Sequence, residues 1–129
     1  MKYGIYYAYW EKEWNGDYKY YIDKISKLGF DILEISCGAF SDYYTKDQEL
    51  IDIGKYAKEK GVTLTAGYGP HFNESLSSSE PNTQKQAISF WKETLRKLKL
   101  MDIHIVGGAL YGYCLLYTSP SPRDRSVSR

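Results

Sequence analysis

The chain reads as an α/β protein of parallel strands joined by helical crossovers, on three observations. Short apolar or β-branched runs alternate with amphipathic helical stretches. Each run opens into a loop carrying glycine and aromatic residues. The pattern repeats about every 30–40 residues, which suits a βαβ unit. The clearest unit is 61–76, GVTLTAGYGPHFNESL, where Val62 to Thr65 form a β-branched run. Ala66, Gly67, Gly69 and Pro70 then let the backbone turn and a ligand approach. In such units ligands lie at the carboxyl ends of the strands.

Taken in order, residues 2–7 predict the first strand and 8–16 a loop holding Tyr9, Trp10, Glu11, Glu13 and Trp14. Asp17 is placed to N-cap a helix over 18–28, whose apolar face is Tyr18, Tyr21, Ile22, Ile25 and Leu28. Gly29 ends it. The second strand is 30–35, with Glu34 set among Ile32, Leu33 and Ile35. After a loop over 36–44, Thr45 and Gln48 match a capping box for a helix over 46–60, striped by Leu50, Ile53, Tyr56 and Ala57. Gly61 terminates that helix. The third strand is 62–67, and a serine-rich loop leads to Pro81, suited to the first turn of a helix ending near Leu100. Its predicted face is Ile88, Trp91, Leu95 and Leu98. A fourth strand over 102–106 closes on Gly107 and Gly108.

Right-handed crossovers make these strands parallel. A closed barrel of eight such units takes about 250 residues, and the 129 residues here correspond to roughly half of that. The expected fold is therefore α/β, with about four parallel strands and three helices, the make-up of half a (β/α)8 barrel; the resemblance given below implies that it is the N-terminal half.

Composition narrows the function. Seventeen basic against 16 acidic residues leave a net charge of +1, which offers no footprint for nucleic acid. Two cysteines, Cys37 and Cys114, imply no disulfide framework. The opening MKYGIYYAYW lacks the apolar core of a signal peptide, and no run is long enough to span a bilayer, so a cytoplasmic setting is expected. Of the 14 tyrosines, most are expected to cover half-buried surfaces, while those near the start are placed to line a polar pocket.

The pattern breaks after Tyr113. The stretch 114–129, CLLYTSPSPRDRSVSR, has no helical stripe and carries two prolines close together. Its first eleven residues, Cys114 to Asp124, agree with one reading frame of a transposon-derived sequencing adaptor. The expected division is a barrel segment over 1–113 and an artefactual or disordered tail over 114–129. Removing the tail's three arginines and one aspartate leaves 14 basic and 15 acidic residues.

Five motifs in order, GIYYAYWEKEW (4–14), LGFDILEI (28–35), LTAGYGP (64–70), LSS (76–78) and GGALYGY (107–113), carry a resemblance. Together they resemble the N-terminal half of the ketose 3-epimerases that act on D-tagatose and D-psicose, within the xylose-isomerase-like barrels. The resemblance implies epimerisation at C3 of a free ketohexose through an enediolate, by an isomerase that is a homo-oligomer. It implies a divalent ion, usually manganese with cobalt or magnesium as alternatives, held by two Glu, one Asp and one His. These ligands and the acid–base residues belong to the second half of the barrel, so no catalytic or metal residue is assigned within this chain and no bound metal is expected. The same resemblance implies sugar contacts for Tyr6, Trp14, Gly67, Ala109 and Leu110. The tryptophan that follows the GALYxY segment in the family is replaced here by Cys114.

Other residues allow further readings. Glu34 lies in an apolar strand and needs partners, which makes it a site residue or, as favoured here, a member of a supporting network. His71, His104 and Cys37 match no compact metal spacing; His104 reads as a core histidine and His71 as a loop residue at the pocket mouth. The serines at 75–79 read as solvent-facing loop and cap. GGALYG lacks the spacing of a phosphate fingerprint. Rival functions are another sugar isomerase, an endonuclease-like member of the same barrels, or a sugar-binding half-barrel. The acidic early loops, with Glu11, Glu13 and Asp42, favour a neutral substrate. With Ile5, Leu33, Leu64 and Ile105 expected to face a missing half, the chain alone is expected to associate and to be inactive.

Overall fold

The computed structural model describes residues 1–12 and 16–110, with backbone alone at 41–42. Four strands, β1 (Gly4–Tyr6), β2 (Ile32–Ser36), β3 (Thr63–Gly67) and β4 (Val106–Gly107), form one sheet in chain order. Every neighbouring pair is parallel. The helices are α1 (Tyr18–Leu28), a four-residue α2 (Ala39–Asp42), α3 (Asp47–Glu59) and α4 (Pro81–Leu100). The α/β half-barrel order expected from the sequence is the order observed. The loop predicted over 36–44 contains α2, which buries Phe40.

Local signals set the helix ends. The Asp17 carboxylate accepts the Lys19 and Tyr20 amides at 3.1 and 3.3 Å. Gly29 ends α1 at φ 85°, a left-handed turn that glycine adopts without steric cost. The Phe30 amide then reaches back to the Ile25 carbonyl at 3.0 Å. Phe30 packs against the core, whereas Leu28 is exposed, contrary to its predicted place on the apolar face. At α3 the capping carboxylate is Glu49, which accepts the Lys46 amide at 3.4 Å. The expected Thr45–Gln48 box is therefore displaced by one residue, and Gln48 instead donates to Asp52 at 2.9 Å.

The core lies between one face of the sheet and the helices. Leu33 and Ile35 of β2 and Leu64 and Ala66 of β3 pack there with Ile22, Ile25, Leu50, Ile53 and Ala57. This corrects the expectation that Leu33 and Leu64 face an absent half. Strand residues alternate in face, and these two point into the helix layer. α4 turns a slightly different side inward, with Ala87, Trp91, Thr94 and Leu98 buried. Ile88 and Leu95, predicted as core, are 46% and 55% exposed. Both stripes share Trp91 and Leu98, and helical spacing alone does not choose the flank that meets the sheet.

β4 is shorter and later than predicted. Asp102, at φ 59°, belongs to the turn that ends α4, and the Ile103 amide bonds the Leu98 carbonyl at 3.0 Å. The Ala66 amide still reaches the Ile105 carbonyl at 3.0 Å, although the Ile105 side chain is exposed. His104 is exposed and paired with Asp102 at 2.9 Å, so it is not the core histidine expected. Ser75 and Ser78 are buried, against the solvent-facing reading, while Ser77 and Ser79 are exposed. Among the described residues, no helix is long and apolar enough to cross a membrane.

Candidate functional site

A cleft of about 720 Å³ opens at the carboxyl ends of the strands. Its floor is Tyr6 from β1, Glu34 and Ser36 from β2, and Gly67 from β3. Tyr43, Tyr68, His71, Gly108 and Ala109 add walls from the following loops. Strand register accounts for the floor: Tyr6 pairs with Glu34, Glu34 with Thr65, and Ser36 with Gly67. These side chains therefore share the face opposite Leu33 and Ile35.

Behind the floor stands a tyrosine scaffold. Tyr6 meets Tyr7 edge-on at 5.1 Å between centroids, and Tyr7 meets Tyr18 edge-on at 5.2 Å. Tyr18 stacks on Tyr44 at 4.9 Å. The Tyr18 hydroxyl donates to the Ser36 carbonyl at 3.1 Å and accepts the Ser36 amide at 3.3 Å, fixing the end of β2. Tyr44 donates to the Gly16 carbonyl at 2.6 Å. Burial pushes the Tyr7 hydroxyl up to about 12 and that of Tyr18 far above the phenolic range. Tyr6 is also raised, by burial first and by the nearby Glu34 charge among lesser causes. All three therefore remain neutral at physiological pH.

The far wall is held by Glu74. Its carboxylate accepts the Tyr68 hydroxyl, and the His71 amide at 2.9 Å. The Tyr68 ring stacks on Phe90 at 5.3 Å and meets Trp91 edge-on at 5.8 Å. The Tyr68 amide donates to the Gly107 carbonyl at 3.1 Å. Gly108 lies against the Tyr68 backbone at φ 110°, and a Cβ there would fall 2.2 Å from the Tyr68 carbonyl oxygen.

Tyr6, Glu34, Gly67 and Ala109 are thus brought together, and His71 joins them as expected. Leu110 is half-buried and is not among the lining residues. Trp14 lies outside the described residues, as does the position of Cys114. Gly69, read as letting a ligand approach, is in the lining, whereas sequence reasoning missed Ser36, Gly38, Tyr43, Tyr68 and Gly108. All but Tyr43 sit at a strand end or just past it, a signal that was available. Among the described residues, no three His, Cys, Asp or Glu side chains gather to hold a metal ion. The described residues by themselves therefore form no site for the metal that the resemblance implies.

Four parallel strands with helices on one face and a cleft at their carboxyl ends define part of a (β/α)8 barrel wall. No family model matches the chain. The D-psicose 3-epimerase of Enterocloster bolteae is 60% identical over 113 residues, which are 88% of this chain and 38% of that protein. The D-psicose 3-epimerase of Agrobacterium fabrum is 44% identical over 130 residues, covering 100% of this chain and 44% of that protein. A solved D-psicose 3-epimerase with D-tagatose, from Clostridium cellulolyticum H10, superposes with a TM-score of 0.85 at 44% identity. That match covers 99% of this chain and 45% of the other. The chain spans less than half the length of the curated relatives it matches. It is similar to the N-terminal half of D-psicose 3-epimerases, as the motifs implied.

Proposed function

We propose that this chain forms the N-terminal wall of the sugar site in a ketose 3-epimerase, an isomerase that inverts C3 of a free ketohexose. The observation that carries this is the 60% identity to a D-psicose 3-epimerase over 113 residues. The cleft itself supports it. Neutral tyrosines and backbone at glycines offer surface and hydrogen bonds to a polyhydroxy ligand. Tyr6, Gly67 and Ala109 are the proposed contacts, with Trp14 and Leu110 added from the resemblance. A larger residue at Gly67 is then expected to change the preference among ketoses.

Inversion at C3 needs a proton removed from one face and returned on the other. In this reading a divalent ion, manganese first among the options, supplies polarisation of the substrate oxygens. The described residues offer no set to hold it, so their part is to orient the sugar and exclude water. That the chain spans 38–44% of these relatives supports placing the metal and acid–base residues outside it. The 129-residue chain alone is then expected to be catalytically silent. An alignment of 113 residues supports ending the barrel segment at 113, although the Agrobacterium fabrum alignment runs over 130. A cytoplasmic, homo-oligomeric enzyme completes the reading.

The test joins residues 1–113 to the remaining portion of the Enterocloster bolteae relative and assays interconversion of D-fructose and D-psicose with added manganese. Interconversion is expected. A folded, inactive hybrid would overturn the reading.

A further inference from the structure

Glu34 is the one cleft residue whose chemistry is left unexplained. It lies on β2, in register with Tyr6 on one side and Thr65 on the other. Its carboxylate leans across Gly67, where a Cβ would fall 2.5 Å from Oε1. The glycine thus leaves the space that the carboxylate occupies. Among the described residues, no hydrogen bond or ion pair reaches its carboxylate. A half-buried carboxylate without donors is costly, and a ligand that supplies them recovers that cost. Among the described residues, no lysine or arginine lines the cleft. A second negative charge, such as a sugar phosphate, would be repelled there, whereas the hydroxyls of a neutral polyol are good donors to a carboxylate.

We infer that the Glu34 carboxylate accepts a hydroxyl of the bound sugar directly, an inference that rests on the function proposed above. Gly67 is its enabling partner, because a side chain at that position displaces the carboxylate.

The experiment uses the hybrid barrel described above, with Glu34→Gln, Glu34→Leu and Gly67→Ala, followed by KM, kcat and melting temperature. Inhibition constants are taken for a series of ketoses each lacking one hydroxyl. Glu34→Leu is expected to raise KM for D-psicose about tenfold, the loss of one charge-assisted hydrogen bond, with kcat nearly unchanged. Glu34→Gln should fall between, since its amide oxygen still accepts. The deoxyketose lacking the accepted hydroxyl should inhibit the parent and Glu34→Leu equally. Gly67→Ala should raise KM alone but add little to Glu34→Leu. A KM unchanged in Glu34→Leu overturns the inference, and so does an equal loss for every deoxyketose, the result of a merely structural role. If Glu34→Leu fails to fold, Glu34→Gln carries the same comparison. An inactive parent hybrid removes the proposed function and this inference together, whereas an active parent with unaffected variants removes this inference alone.

Discussion

The two faces of the same sheet are built on opposite terms. On the helix side, Leu33 and Ile35 of β2 are fully buried against α1 and α3. On the other side, Glu34 and Ser36 of the same strand line an open cleft. One residue of displacement along β2 separates a closed apolar core from a surface where a carboxylate has no hydrogen-bond partner among the described residues. Stability is thereby concentrated on one face, and the other is free to hold groups that are costly without a ligand.

The largest effect should come from crossing that divide within β2. Leu33→Ala removes a fully buried side chain from the helix layer and should cost about 2–5 kcal/mol. Glu34→Leu, next in sequence, breaks no hydrogen bond among the described residues, removes a half-buried charge without donors and should leave stability unchanged or raise it. Urea unfolding of the hybrid barrel checks the pair. Equal losses would mean that the cleft face carries as much of the fold as the core.

A smaller effect tests whether the cleft is loosely built because it is open. Gly108→Ala forces a side chain onto a left-handed backbone and against the Tyr68 carbonyl. The expected cost is about 1–3 kcal/mol, with weaker sugar binding as Tyr68 and His71 shift. Gly69→Ala meets nothing within 4 Å and should be neutral or slightly stabilising. Melting temperatures and KM for both variants provide the comparison. A harmless Gly108→Ala would show that the wall around Tyr68 yields freely.

The helix side was the more legible in sequence, and the reason is periodicity. Apolar spacing located α1, α3 and α4, and Asp17, Gly29 and Gly61 marked ends that the structure keeps. Spacing did not choose between the flanks of α4, because Ile88 and Leu95 are as apolar as the residues that are buried. β4 was placed too early because Ile103 and Ile105 look like strand residues, while the turn at Asp102 is set by the end of α4. On the cleft side, Tyr6, Gly67 and Ala109 were legible through motifs and strand ends. Tyr43 was not, since it enters from the loop around α2, where no periodic signal exists. That no described residue bonds the Glu34 carboxylate was illegible as well, because it depends on which donors the fold brings near.

The last prediction concerns a titratable group just past β2. Cys37 is fully buried in the core cluster, three residues beyond Glu34. Burial pushes its thiol from 9.0 up to about 12, with a small contribution from the Glu34 charge. A raised pKa means that the folded state favours the protonated thiol. Its contribution is fully present below the unfolded value near 9 and is lost as pH rises toward 12. Each pH unit within that window should lower stability by about 1.4 kcal/mol through this group. Urea midpoints between pH 8 and pH 10, for the parent and Cys37→Ala, isolate the effect because the buried tyrosines are common to both. The parent should lose stability more steeply above pH 9. In the folded state the thiol should also resist alkylation at neutral pH. Parallel pH profiles would show that water reaches Cys37, and that the core is less closed at the end of β2 than along Leu33 and Ile35.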